Sequence, residues 1–437
     1  MILSIDFGTS SLKLALFDRE LRQQFSAKEE YAYTILPGEK VELGTDDLLR
    51  ALESACARMS AAQKKSVELI CYDTFSPSLT LMDAGGRALC PVVTHLDRRS
   101  RGQSAQVCEV MGKERYQSIA GVYPFTGGIS LLPLLWFKQN QPELCGKIRK
   151  IGHLTTFIHY FLTGEWAVDL VNASMLGIYD TVGQTGWSDE IIGIFNINQD
   201  WLPPIVTPGQ RLGTLRADTA QRLGLRAGVP VAMGTNDAMA SQVGVGNQFS
   251  GQALNIAGSS DMISILTDTP ALHPGYYLRN AARPGLWQIY ATTSGGFAVD
   301  WFRGQFCREM DDKTFFCDYL PACVARWRDC PVEFVPYLSE DRQSLDLRRA
   351  AWRGLSLAST RDDMLTALLV SVQRVLKQTI DQAAGQIALN GVIKVTGGFA
   401  DAAILALKRE IFEGYEWQLR EDGTVRGNAA LALEYEG

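Results

Sequence analysis

The sequence predicts an α/β protein built of two related domains, and three observations carry that prediction. The chain has 437 residues, more than one ordinary hydrophobic core accommodates. Apolar, strand-like runs alternate with helix-periodic segments from the N-terminus through Leu225, the pattern of strands covered by helices. The opening motif, an apolar run, Gly8-Thr-Ser-Ser11 and a second apolar run, also recurs as an apolar run, Gly258-Ser-Ser260 and a further apolar run. The two copies lie about 250 residues apart, far beyond any solenoid period, so a duplicated domain is expected. The break is placed in the glycine-rich stretch 244–251, giving domains 1–247 and 248–437 whose hairpins face one another across a cleft. In the second copy Ala257 is expected where Asp6 stands in the first.

Each element follows from its local pattern. Residues 1–5 read as a strand and 8–11 as its turn, and Leu12, Leu14 and Leu16 alternate with Lys13 and Ala15 as the return strand. Residues 45–59 read as a helix, with Leu48, Leu49, Leu52, Ala55, Cys56 and Met59 at helical spacing and acids in the first turn. A strand follows at 67–72. In the second half, Met364, Leu365, Leu368, Leu369, Val372, Val375, Leu376 and Ile380 mark a long helix over 362–387. A strand at 392–396 then meets Gly397-Gly398, and another helix begins at Ala400.

Composition narrows the function. Hydrophobic residues make up 46% and charged residues 21%, with a net charge of -6; this is an ordinary globular balance without the basic excess of a nucleic-acid or membrane-surface protein. The nine cysteines are scattered without a Cys-x-x-Cys pair, so reduced, mostly buried thiols in a cytoplasmic protein are expected. No run reaches the roughly 18 apolar residues of a membrane span. A homodimer is expected only on the base rate for enzymes of this size.

Three glycine-rich turns follow strands: Gly8-Thr9-Ser10, Gly258-Ser259-Ser260 and Gly397-Gly398. Glycine lets the backbone approach a phosphate, while hydroxyls and successive N–H groups supply donors. Each turn alone is ordinary hairpin punctuation; their order, and Asp6 beside the first, point to a metal and a phosphate chain. Neither a P-loop nor a dinucleotide fingerprint is present. A fourth feature is a strand running into Gly234-Thr235-Asn236-Asp237 and then a helix of small residues through Gly246. Capping alone explains an aspartate at a helix start. The functional alternative is a general base that accepts an alcohol's proton as the alcohol attacks a γ-phosphate.

The ordered set Ile5-Asp-Phe-Gly-Thr-Ser-Ser-Leu-Lys13, Gly234-Thr-Asn-Asp-Ala-Met-Ala-Ser-Gln-Val-Gly-Val-Gly246 and Ala257-Gly-Ser-Ser260 resembles the FGGY family of carbohydrate kinases, within the actin/hexokinase-like ATPases. The likeness covers nearly the whole chain, including Leu81-Met-Asp83, His95-Leu-Asp-Arg-Arg99, Leu162-Thr-Gly-Glu165, Trp187-Ser188 and Pro336-Tyr-Leu-Ser339. It implies two duplicated actin/hexokinase-like (ribonuclease H-like) domains with an interdomain cleft. It implies transfer of the γ-phosphate of ATP, with Mg²⁺, to a small sugar or polyol, a ketose foremost. Asp237 then matches the catalytic base, and Asp6 with Asp237 the metal-holding acids. Gly8, Thr9, Ser10 and Lys13 fall on the first phosphate motif, Gly258, Ser259 and Ser260 on the second. Gly295 opens a helix beside the nucleotide, and Gly397 and Gly398 lie against the adenosine. Phe75, Ser76, Asp97, Arg99, Asn236 and Asp237 fall on the substrate side, with a surface ion pair as the competing reading for Asp97 and Arg99.

The Gln-Met-His-Gly element of xylulokinases is absent: Asp73-Thr-Phe-Ser-Pro-Ser78 stands there, and Ala238 follows the base where xylulokinases carry Asn. A sugar pocket that lacks a polar partner selects differently, so D-xylulose is not the expected substrate. A sensor that binds sugar or nucleotide without turnover is the alternative from another class.

Overall fold

The computed structural model describes all residues except 339–340, 422 and 436–437; Ser339, the last residue of the Pro336 segment, lies outside the described residues. The chain divides into two compact units. The first takes Met1–Gly246, Leu278–Trp287 and the stretch from Gly423, and the second takes the intervening residues.

In the first unit, β1 (Ile2–Phe7) is buried along its whole length, as a central strand covered on both faces must be. The turn at Gly8, whose N–H donates to the Ser11 carbonyl, leads into β2 (Ser11–Phe17), which pairs antiparallel to β1. Next come β3 (Gln23–Glu30), α1 (Thr45–Ala57) and β4 (Leu69–Thr74), the last parallel to β1 and fully buried. Strands β5 (Arg211–Thr214) and β6 (Pro230–Ala232) complete the order β5-β6-β4-β1-β2-β3, with the short β7 (Thr235–Asn236) also parallel to β4. Leu48, Leu52, Ala55 and Cys56 of α1 enter one core with Ile5, Leu14 and Tyr72, so the helical stripe read from sequence is the buried face.

The second unit repeats the plan. Strands β8 (Ala253–Ala257) and β9 (Ser260–Thr267) form the hairpin, flanked by β10 (Trp287–Ser294) on one side and by β11 (Val392–Thr396) and β12 (Glu416–Leu419) on the other. β8 is antiparallel to β9 and parallel to β11, as β1 is to β2 and β4. Counted back from the turn glycine, Ile256 matches Asp6, not the expected Ala257, and the strand partner of Ile256 is Thr396 where that of Asp6 is Asp73. The long helix spans Arg361–Ala384, ending before the expected 387, and the one after Gly397-Gly398 spans Ala402–Ile411, beginning after the expected Ala400.

The single cut expected after residue 247 meets the first crossing only, because the chain returns to the first unit twice. On the first return, buried Arg279 donates to the carbonyls of Ser174 and Gly128. On the second, the helix Thr424–Glu434 packs backbone to backbone against Asp237–Gly244. A Cβ on Gly427 would stand 1.8 Å from the Ala240 carbonyl oxygen, and one on Gly244 would stand 1.9 Å from that of Gly423. Only glycines permit that approach. Of the nine thiols, all free, Cys56, Cys71, Cys307 and Cys323 are buried and the rest at least partly exposed, fewer buried than expected.

Candidate active site

Parallel pairing brings three acids to the carboxyl edge of one sheet. Asp6 of β1 stands beside Asp73 of β4, and Asp73 beside Thr235 of β7. Asp237 follows as the first residue of its helix. The expected capping role falls to its neighbour: Asn236 is the N-cap, and its side chain accepts from the Ala238 and Met239 amides. Asp237 is instead held through one oxygen, Oδ1, by the Asn236 Nδ2 at 2.8 Å and the Ala238 N–H at 2.7 Å.

The electrostatics follow from burial. Asp6 is 5% exposed and Asp73 fully buried. Burial first, then the charge of Asp6, lifts the Asp73 pKa well above the carboxylate range, and the same causes in the same order raise Asp237 to about 7. Lys13 Nζ lies 3.8 Å from Asp6 Oδ2. Asn428, from the returning helix, donates to Asp73 Oδ2, while Asp73 Oδ1 meets no donor among the described residues. An edge of carboxyl oxygens, one of which meets no donor, fits a hard divalent cation, whose charge would also favour the ionised form of these acids. No cluster of three or more acid, His or Cys side chains is placed for direct ligation among the described residues, so water would complete the sphere.

In the same unit Phe75 is buried against Tyr33 and His95, and Ser76 donates to Asn172 Oδ1. Asp97 and Arg99 do form the ion pair that competed with sugar contact, yet it is buried rather than superficial. Arg99, its side chain 3% exposed, meets Asp97 Oδ2 at 2.7 Å and Glu42 Oε1 at 2.6 Å, with its guanidinium 5.2 Å over the Trp136 ring.

In the second unit, the turn after β8 is braced by the helix Gly296–Phe306. The Gly296 N–H donates to the Gly258 carbonyl, and the Gly295 and Phe297 N–H groups to that of Ser259. A Cβ on Gly295 would stand 2.8 Å from the Asp261 nitrogen. Gly397, at φ +105°, leaves the Ala257 carbonyl oxygen where its own Cβ would be. Behind the turn, Lys408 and Asp261, both fully buried, form an ion pair of 2.9 Å. Gln373 Oε1 also accepts from Lys408 Nζ, and Asn255 Nδ2 donates to Asp261 Oδ1.

Residues 1–244 match the N-terminal domain of the FGGY family of carbohydrate kinases. This chain belongs to that family. It is 25% identical over 418 residues to the L-fuculokinase of Salmonella typhi, covering 92% of this chain and 85% of that protein. It is likewise 25% identical over 430 residues to the gluconokinase of Bacillus subtilis, covering 94% and 83%. The crystal structure of xylulose kinase from Rhodospirillum rubrum superimposes with a TM-score of 0.87 at 22% identity, covering 100% of this chain and 90% of that one. This FGGY member is therefore an ATP-dependent carbohydrate kinase, a phosphotransferase with an alcohol group as acceptor.

Sequence reasoning missed Asp73, Asn428 and the Lys408–Asp261 pair of this FGGY chain. Asp73 carried a signal, an acid closing an otherwise apolar strand. Lys408 carried another, since it shares the apolar stripe of its helix with Ile404 and Ile411. No helix among the described residues is long and apolar enough to cross a membrane.

Proposed function

We propose that this kinase transfers the γ-phosphate of Mg·ATP to a hydroxyl of a small sugar or polyol, a ketose foremost, with Asp237 as general base. The observation that carries the reading is the one-sided tethering of Asp237: both donors meet Oδ1, which leaves Oδ2 to accept the hydroxyl's proton. A carboxylate raised to about 7 is matched to that task near neutral pH. Asp6 and Asp237, with Asp73 beside Asp6 in the strand register, are the residues that would hold Mg²⁺. The bound cation would neutralise charge on the phosphate oxygens. Lys13, Thr9, Ser10 and the Gly8 turn would form the first phosphate motif. Gly258, Ser259 and Ser260 would form the second, with Gly295 opening the helix beside the nucleotide and Gly397 and Gly398 against adenosine. Phe75, Ser76, Asn236 and Asp97, the last held by Arg99, would frame the sugar.

ADP release across a panel of ketoses, polyols and sugar acids tests the substrate class. Asp237→Asn keeps the shape of the site and removes the base. Turnover should fall by roughly a thousandfold or more while calorimetry still reports nucleotide binding. Substantial residual turnover overturns the base assignment, and sugar binding with no ADP from any substrate favours the sensor.

A further inference from the structure

A chain of buried hydrogen bonds runs from the strand that leads into the proposed base to the side chains of Ser76 and Ser130, and its polarity can be read end to end. It begins at Asp169, the fully buried N-cap of the helix Leu170–Leu176. Its carboxylate accepts from the Val171 and Asn172 amides, from Thr235 Oγ1 at 3.2 Å and from Asn172 Nδ2 at 2.6 Å. That last bond fixes the Asn172 amide: its nitrogen faces Asp169, so its oxygen faces the other way and can only accept. Two groups meet that oxygen, Ser76 Oγ and His153 Nδ1, the latter at 3.0 Å. Both must donate.

His153 is fully buried, and burial lowers its pKa to about 4, so the ring is neutral at physiological pH with its one proton on Nδ1. Nε2 must therefore accept, and its partner at 2.8 Å is Ser130 Oγ. Ser130 occupies the N-cap position of the helix Leu131–Asn140 but makes no side-chain cap; it turns its hydroxyl to His153 instead. A serine has one proton to give, and Ser76 and Ser130 have both spent theirs inward. Ser76 is partly exposed; Ser130, 2% exposed, lines the floor of a narrow crevice with Ser76's neighbour Pro77, His95 and Asp97. Neither lysine nor arginine lines that crevice; of its other polar side chains, the Asp97 carboxylate only accepts, Thr94 spends its hydroxyl proton on the Val41 carbonyl, and Ser100 and His95 complete the lining.

We propose that Ser76 and Ser130 are specificity-determining residues that offer the substrate hydrogen-bond acceptors alone, so that the site takes a neutral polyhydroxylated compound and rejects the corresponding sugar acid. The inference rests on the reading of this region as the sugar side of the kinase and names its substrate class. A hydroxyl can donate to such a wall, whereas a carboxylate would face lone pairs without a cation.

Calorimetric titration without nucleotide, on the intact chain, reads the selectivity independently of turnover. The probes are xylitol, D-sorbitol and D-fructose, set against D-xylonate and D-gluconate. At least one neutral probe should bind about 100-fold more tightly than either acid. Ser130→Ala should weaken that neutral ligand about five- to tenfold, and Ser130→Thr should restore it. A monodeoxy analogue lacking the hydroxyl that faces Ser130 should bind wild type and Ser130→Ala equally, which a merely structural role for Ser130 would not produce. An acid that binds as well as the neutral probes, or no binding of any neutral probe, overturns the inference. Neutral-selective binding with no ADP on adding ATP supports the polarity and overturns the kinase reading instead.

Discussion

Asn428 donates its side-chain amide to Asp73 across 355 positions of sequence. The bond ties the last helix to the strand beside Asp6, so the acid edge is completed by a segment that local sequence reading leaves at the far end of the chain. Ser4 Oγ donates to the Val425 carbonyl at 2.7 Å and anchors the same helix one turn earlier.

Removing that donor leaves Asp73 Oδ2 buried beside Asp6 without its hydrogen bond from Asn428. Asn428→Leu should lower unfolding free energy by about 1–3 kcal/mol, measured by urea denaturation. Asn428→Asp, which adds a further acid to the edge, should cost more than Asn428→Leu. Equal stability of wild type and Asn428→Leu would show that the bond carries no weight.

Gly427→Ala tests the backbone contact between the last helix and the helix that Asp237 opens. The added methyl would lie 1.8 Å from the Ala240 carbonyl oxygen, so the helices must part. A loss of roughly 2 kcal/mol or more is expected, together with a drop in kcat, because the displaced helix carries the base. Full stability with normal kcat would contradict the packing.

Lys408→Met should destabilise the second unit by about 3–5 kcal/mol, since it strands Asp261 as an unpaired charge in a dry interior. The double variant Lys408→Met, Asp261→Leu should recover much of that loss. Thermal unfolding of the two single variants and the double variant completes the cycle, and additive losses would argue against pairing.

Acid should expose the buried imidazoles. Burial lowers His159, like His153, to about 4, below the unfolded value near 6.5. The unfolded chain therefore binds more protons between those pH values. The stability contributed by each neutral ring is fully present above about 6.5 and is lost as pH falls toward 4. The buried carboxyls raised above their usual range act oppositely, so the comparison must be with a variant. His159→Phe should gain up to roughly 3 kcal/mol relative to wild type between pH 7 and 4. A constant difference over that range would show that the ring is not buried in its neutral form.

Much of the architecture was legible because it rests on local periodicity. The hairpin at Gly8, the strand at 392–396 and the buried stripe of Thr45–Ala57 follow from alternation or helical spacing over a few residues. The family motif around Asp237 was legible for the same reason. The competing reading of that residue was not resolved locally, since capping passed to Asn236 by a single position, which only backbone angles distinguish.

The sequence by itself determined the duplicated hairpins, the acids at positions 6 and 237 and the glycine-rich turns, because glycine geometry and side-chain period act over short stretches. Only the tertiary structure decided that Asp73 joins those acids, that Asn428 returns to hold it, and that Asp97 and Arg99 spend their charges on each other in the interior. Strand register and helix docking are set by burial summed over the whole unit, so partners hundreds of residues apart leave no trace in any single window of sequence.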